Sequence, residues 1–194
     1  MAVWTTSDLV SKIHSYLFER DDLATRIGDF IELAEAQLQR RLRSLEQLGR
    51  AEATANSEYV AVPSDFAGII SIELRTSPPT PIERRDPAML ATLKSVQPAT
   101  GAPVFFGLVG QTLQLVPAPD QPYTIDLTYS RRFTPLSSAN PTNWILENHP
   151  DAYLYGALLQ SAPWLHEDER VPVWEGIFKT IIADINGDAR LSSS

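Results

Sequence analysis

The densest group of side chains that could do chemistry is the run His166-Glu167-Asp168-Glu169. Imidazole and carboxylate groups are common ligands of divalent ions and common acid–base catalysts. Together with Asp151, the first three residues of this run support one hypothesis, a metal or acid–base hydrolase. Consecutive residues of a helix point in different directions, however, and carboxylates also favour the positive N-terminal end of a helix. The run therefore indicates a solvated helix start more strongly than a ligand site.

Other catalytic signatures are missing from the sequence. It contains no Cys and only three His, none of which has a second His at the spacing of a zinc site. It has no phosphate-binding loop, no dinucleotide fingerprint and no nucleophile elbow. We therefore predict no catalytic residue, no metal site and no cofactor, and we predict that the chain is not an enzyme.

Arginines form the main basic feature of an acidic chain. The formal net charge is −8, and Arg outnumbers Lys by 13 to 3. The densest basic run is Arg40, Arg41 and Arg43, with Glu35 among the carboxylates within two helical turns. The acidic balance argues against a free-standing nucleic-acid binder. Two interpretations stay open: a solvated, ion-paired helix face, or a contact between subunits, where Arg is enriched.

Helices are predicted at both ends of the chain. Apolar residues repeat at helical spacing over about 6–18 and 22–48, and again over about 150–165 and 168–186. Gly49 and Gly187 follow the last apolar positions and predict helix ends. The apolar stripes at the two ends are complementary, which predicts that these helices pack as one bundle.

The middle of the chain changes to a period of two residues, which indicates strands. Alternation is clearest over 123–129, and the segments 104–109 and 112–116 flank Gly110-Gln111 as a hairpin. The predicted fold class is α+β, a helical bundle from both termini with a central antiparallel, sandwich-like β insertion. The predicted organisation is N-terminal helices over 1–49, a β-rich domain over 50–146, C-terminal helices over 147–187 and a flexible tail over 188–194.

The order of these elements, together with several short sequence motifs, resembles that of one protein family. It is similar to the head-to-tail adaptor proteins of tailed bacteriophages, the gatekeepers of short-tailed phages that resemble tail tubular protein A. The resemblance covers nearly the whole chain. The motifs that carry the resemblance lie at residues 30–35 and 40–43, at the Val-Pro-Ser-Asp-Phe turn over 62–66, at 101–103, 113–119, 127–129, 135–137, 143–146 and 149–159, and at 167–170 ahead of Trp174.

The resemblance implies a structural virion protein in the neck, made in the host cytoplasm. It implies a ring, typically of twelve copies, between the portal protein and a downstream tail or nozzle protein. Genomic DNA would pass through the lumen without sequence-specific binding. An acidic wall suits that role, because it repels phosphate. Another ring-forming tail-completion or baseplate component is an alternative, and the hydrolase is a second one.

The resemblance also suggests places for the contacts. Related adaptors dock against the portal through a C-terminal segment, so the tail residues Asp188, Arg190 and Leu191 are candidates for that contact. Candidates for contacts between subunits and for loops facing the tail come from the distribution of charge. The subunit candidates are Glu35, Arg40, Arg41 and Arg43, and the tail-facing candidates are Arg84, Arg85, Arg131 and Arg132.

Overall fold

A computed structural model describes residues 4–96, 99–165 and 168–191. The chain forms two compact units. One contains the residues up to Gln47 and from Phe133 onward, and the other is Leu48–Arg132. The first is helical and the second is β-rich, so the predicted α+β class is confirmed. None of the helices in the described ranges is long and apolar enough to cross a membrane.

The helices and strands have the following bounds. The α-helices are α1 (Thr6–Tyr16), α2 (Asp21–Ala24), α3 (Ile27–Arg41), α4 (Pro87–Val96), α5 (Trp144–Asn148), α6 (Pro150–Ser161) and α7 (Val171–Leu191), with 3-10 turns at Leu45–Gln47 and Ala162–Trp164. The strands are β1 (Leu48–Ala55), β2 (Tyr59–Ala61), β3 (Phe66–Leu74), β4 (Thr80–Pro81), β5 (Glu83–Arg84), β6 (Phe105–Val109), β7 (Thr112–Val116) and β8 (Tyr123–Arg131).

Helix α6 is the centre of the helical unit, and α1, α3, α5 and α7 pack around it. It is buried on several sides because its sequence is apolar or small at most positions. Gly156 allows the closest approach, since a Cβ there would lie 3.2 Å from both Ala34 of α3 and Phe178 of α7. Helices from both ends of the chain therefore share one hydrophobic core, as their apolar stripes predicted.

The β-rich unit consists of two four-stranded sheets with a shared core. Their strand orders are β1-β8-β3-β4 and β2-β7-β6-β5. The predicted hairpin is present as β6 and β7, and Gly110 in its turn has a φ of 62°, which favours glycine. One pair, β5 with β6, is parallel, whereas the sequence predicted an antiparallel unit. Inward-facing side chains of both sheets, such as Phe106 and Leu127, form the core.

The prediction of one helix over 22–48 was wrong. Two helices, α2 and α3, occupy its first part, and α3 ends because Leu42 has an extended backbone (φ −78°, ψ 140°). Leu42 is nevertheless buried, so the apolar period continued past the point where the helix stopped. The segment from Leu48 onward is strand β1, which pairs residue by residue with β8 from Leu48↔Ser130 to Ala55↔Tyr123.

Two further boundaries differ from the predicted ones. The β-rich unit ends at Arg132 rather than at 146, because the connector after it packs with the helices. There, the backbone N–H of Phe133 donates to Gln39 Oε1 (3.2 Å). Helix α7 does not end at Gly187 but continues to Leu191. A glycine ends a helix only where it adopts a left-handed conformation, and Gly187 has no positive φ.

Candidate functional site

The three arginines Arg40, Arg41 and Arg43, here called the arginine cluster, lie exposed at the C-terminal end of α3. Asn186 of α7 fixes the backbone of this cluster. Its Nδ2 donates to the carbonyl of Arg41 (3.0 Å), and its Oδ1 accepts from the backbone N–H of Arg43 (2.6 Å). The Arg41 guanidinium lies 5.8 Å from the centroid of the Phe178 ring. Among the described residues, no carboxylate forms an ion pair with any of the three guanidinium groups.

Glu35 was predicted with the cluster as a subunit contact, but the structure buries it inside the helical unit. Its residue surface is only 7% exposed. Its Oε1 accepts hydrogen bonds from the backbone N–H of Leu136 (2.7 Å) and the hydroxyl of Tyr153 (2.9 Å). Burial raises the pKa of the Glu35 carboxyl, although these hydrogen bonds oppose the shift. Glu35 therefore ties α3 to α6 and to the connector after the β-rich unit, so its carboxylate is engaged within its own chain.

Tyr153 extends this buried network to the start of α5. Its hydroxyl accepts from Asn143 Nδ2 (2.7 Å), and burial raises the pKa of the Tyr153 hydroxyl far above its usual range. Asn143 also caps α5, since its Oδ1 accepts from the backbone N–H of Leu146 (3.0 Å). The network holds the connector over 133–143 against α3 and α6.

The arginine pairs predicted to face the tail lie in the β-rich unit. Arg84 is exposed in β5, and Arg85 forms an ion pair with Glu83 and lies 5.1 Å from the centroid of the Phe105 ring. Arg131 and Arg132 are both exposed at the end of β8. The two pairs thus occupy different strands of different sheets.

The portal candidates Asp188, Arg190 and Leu191 lie in the last turn of α7 rather than in an unstructured tail. Asn186, which holds the end of α3, precedes this turn by two residues. Residues 192–194, the rest of the predicted tail, lie outside the described residues. The candidate segment is therefore a helical extension of the bundle.

The candidate hydrolase residues are only partly described. His166 and Glu167 lie outside the described residues. Asp168 binds Arg170 through both carboxylate oxygens, which lowers the pKa of Asp168. Asp151 lies in the first turn of α6, the usual place for a carboxylate near a helix N-terminus. Within the ranges that the structure covers, no three His, Cys, Asp or Glu side chains form a group that could hold a metal ion.

One exposed feature was missed in the sequence. The turn between α1 and α2 carries Phe18, whose surface is 75% exposed, and both Phe18 and Glu19 have a positive φ. The sequence signal was a large aromatic residue directly before the charged run Glu19-Arg20-Asp21-Asp22. Trp164 is also partly open to solvent, at 36% exposed, and its ring centroid lies 5.1 Å from that of Phe30.

Comparison with known proteins places this arrangement in one family. A family model described as SU10 adaptor protein matches residues 4–194. A search of curated proteins found no match. The family is one of phage structural adaptors, which agrees with the adaptor resemblance of the sequence, although its short-tailed subtype is a finer assignment than the match carries. Since the match spans both compact units, the chain belongs to the SU10 adaptor protein family.

Proposed function

We propose that the chain is a head-to-tail adaptor that assembles into a ring of about twelve copies between the portal protein and the tail. The observation that carries this proposal is the family match over residues 4–194. In this role the protein is a structural component of the virion neck and is made in the host cytoplasm. It presents a platform for a downstream tail or nozzle protein and performs no reaction.

The charge of the chain supports a passage for DNA through the ring. The net charge is −8, and residues 141–194 alone carry eight acidic and three basic side chains. A lumen with excess carboxylate repels phosphate, so DNA slides during packaging and ejection. A lumen rich in Lys would instead hold the DNA backbone. DNA is therefore cargo of the ring and not a sequence-specific ligand.

The arginine cluster is the proposed contact between neighbouring subunits. Its guanidinium groups are exposed at the end of a rigid helix, and Asn186 fixes the backbone beneath them. Arginine loses less hydration than lysine at an interface and forms forked bonds with carboxylates. Reversing the charge of Arg40 and Arg43 to Glu should prevent ring formation while the monomer stays folded. The matched control is Arg84→Glu in the β-rich unit, which should leave the ring intact.

The last turn of α7 is the proposed portal contact, with Asp188, Arg190 and Leu191 as the candidate residues. A helical segment loses less conformational entropy on binding than a disordered one. Many copies on a ring raise the effective concentration, so a weak single contact suffices. Deleting 188–194 should preserve folding and abolish assembly onto portal-bearing capsids. Deleting only 192–194 is the control and should be tolerated.

The pairs Arg84-Arg85 and Arg131-Arg132 are the proposed contacts with the tail. Charge reversal of either pair should leave rings on portal-bearing capsids but reduce attachment of the next tail component. Rings that recruit the tail normally after both reversals would rule out this part of the proposal.

Native mass spectrometry of the chain, alone and mixed with the portal protein of the same phage, tests the proposal as a whole. The expected result is a ring that joins the portal particle. A chain that remains monomeric under both conditions would contradict it. Its position in a virion, seen by electron microscopy, would separate a head-to-tail adaptor from a baseplate component.

A further inference from the structure

The turn between α1 and α2 presents a large apolar side chain to solvent. Phe18 is 75% exposed, the highest value among the large exposed apolar residues that the structure describes. Phe18 and Glu19 adopt φ values of 56° and 54°, a left-handed conformation that is unfavourable for residues other than glycine. Such a conformation persists only where surrounding contacts impose it, and it is concentrated at functional sites.

Contacts from the start of α7 hold the Phe18 turn in place. The Arg170 guanidinium lies 4.3 Å from the centroid of the Phe18 ring and 4.9 Å from that of Trp174. Arg170 is itself fixed, because it binds the Asp168 carboxylate and donates to the carbonyl of Tyr16 (3.0 Å). The Phe18 ring is therefore supported on one side and open on the other, as expected of a preorganised anchor.

The rim of the Phe18 turn is acidic. Glu19, Asp21 and Glu169 are exposed, and among the described residues none of them forms an ion pair with Lys or Arg. Asp21 lies 3.7 Å from Nε2 of His14. The turn thus combines an apolar ring with several carboxylates that a partner could neutralise.

A complementary surface lies further along α3, here called the α3 face (Leu33, Ala36, Arg40 and Arg43). Leu33 is 50% exposed, and Ala36 and Arg40 follow it at helical spacing on the same side of the helix. Arg43 is exposed just beyond the end of α3. This surface therefore pairs exposed apolar area with two guanidinium groups at its C-terminal end, and the exposed carboxylates Asp29 and Glu32 flank it one turn earlier.

The Phe18 turn lies beside the start of α3, whereas the α3 face covers the middle and the C-terminal end of that helix. Arg20 next to the turn donates to the carbonyl of Trp164 (3.3 Å), and Arg26 at the start of α3 lies 5.7 Å from the Trp164 ring. Arg40 lies about 20 Å further along the helix at 1.5 Å per residue. Two different surfaces at separate positions along one helix suit a head-to-tail contact, which forms a ring when the rotation between successive copies closes.

We propose that the Phe18 turn of one copy docks on the α3 face of the next copy. The Phe18 ring packs against Leu33 and the Arg40 guanidinium, and Glu19 and Asp21 neutralise Arg40 and Arg43. Arg suits this contact because its planar group both stacks on aromatic rings and forms forked bonds with carboxylates. This inference rests on the proposed ring and names the surfaces that form it.

A charge exchange between two variants tests this contact. One variant carries Glu19→Lys and Asp21→Lys, and the other carries Arg40→Glu and Arg43→Glu. Each variant alone brings like charges together and should stay monomeric by native mass spectrometry. Their equimolar mixture should assemble with alternating copies, because each turn then meets an α3 face of opposite charge. A mixture that assembles no better than its components overturns the contact.

Phe18→Ala and Phe18→Gly test the anchor separately. Both should weaken assembly about 30-fold, as loss of a central interface residue does. The melting temperature of Phe18→Gly should be no lower than that of the wild type, because glycine accepts the left-handed conformation. If the wild type forms rings and both Phe18 variants assemble equally well, the proposed contact is overturned, but the ring is not. Normal rings of Phe18→Ala that fail to join the portal also overturn it, since the turn would then face the portal. A wild-type chain that never assembles, with or without portal, overturns the ring as well.

Discussion

The buried carboxylate of Glu35 offers the most quantitative check on the structure. Glu35 accepts hydrogen bonds from the backbone N–H of Leu136 and the hydroxyl of Tyr153, and it is 7% exposed. Glu35→Ala leaves the buried Tyr153 hydroxyl and the part-buried Leu136 N–H without this acceptor, at about 1–3 kcal/mol each. Removing the carboxylate also removes its own cost of burial, so the expected loss in the free energy of unfolding is about 2–4 kcal/mol.

Glu35→Gln separates the hydrogen bonds from the charge. The amide oxygen of Gln accepts the same two hydrogen bonds, and the variant carries no buried charge. Because the pKa of the Glu35 carboxyl is raised above its ordinary value of 4.5, the folded state binds the proton more tightly than the unfolded state. The wild type should therefore lose stability relative to Glu35→Gln as the pH rises from 4.5 through the raised pKa. Below 4.5 the difference should become constant, because both states of the wild type are then protonated.

Urea unfolding followed by tryptophan fluorescence is the suitable assay. All four Trp, at positions 4, 144, 164 and 174, belong to the helical unit that contains Glu35. Glu35→Gln should equal or exceed the wild type in stability at about pH 7, with a smaller advantage at about pH 4. A Glu35→Gln variant that is as destabilised as Glu35→Ala at neutral pH would contradict this role of Glu35. So would a difference from the wild type that does not change with pH.

Three other variants have defined expectations. Thr5→Ala removes the cap of α1 and should lower the free energy of unfolding by about 1 kcal/mol in urea titrations; an unchanged value would contradict the observed capping box. Gly107→Ala places a Cβ 2.5 Å from Cδ1 of Leu90 and should cost about 1–3 kcal/mol by overpacking, whereas Gly68→Ala, with open space around it, should cost clearly less. Gly110→Ala forces a positive φ on Ala in the β6–β7 turn and should lower the melting temperature, and an equal or higher value would argue against that turn.

Side-chain periodicity predicted the elements that bury one face. Strand β8 alternates between buried residues such as Ile125 and Leu127 and polar ones, so its period of two was visible in the sequence. Helix α7 buries Trp174, Phe178 and Ile182 at helical spacing, and its apolar stripe was equally visible. In both cases burial of one face against a core determines the spacing of the apolar residues, so that spacing indicates whether the segment is a helix or a strand.

Elements held by pairing with distant residues could not be predicted in this way. Strand β1 has the sequence Leu-Gly-Arg-Ala-Glu-Ala-Thr-Ala, and Ala, Glu and Arg favour helices in isolation. It is a strand because β8, which begins 68 residues after β1 ends, pairs with it along its whole length. Tertiary pairing thus overrides local propensity.

Among the candidate interaction residues, too, some features are visible in the local sequence and others depend on distant residues. The arginine cluster was visible as a dense basic run, and the structure leaves it exposed. Glu35 lies on the buried side of α3 with Ile31 and Leu38, a spacing that was readable in the sequence. Its partners Leu136 and Tyr153, however, follow by about a hundred residues, so the network was not predictable. The exposure of Phe18 depends on a backbone conformation that residue type alone disfavours.

The proposed adaptor ring on the portal can be counted directly. Native mass spectrometry of the portal particle before and after addition of the chain gives the number of bound copies. The mass of the portal particle should increase by about twelve times the chain mass of 21.5 kDa. When the chain is in excess, no portal particle with a smaller number of bound copies should persist. A portal particle whose mass does not change in the presence of folded chain would contradict the account.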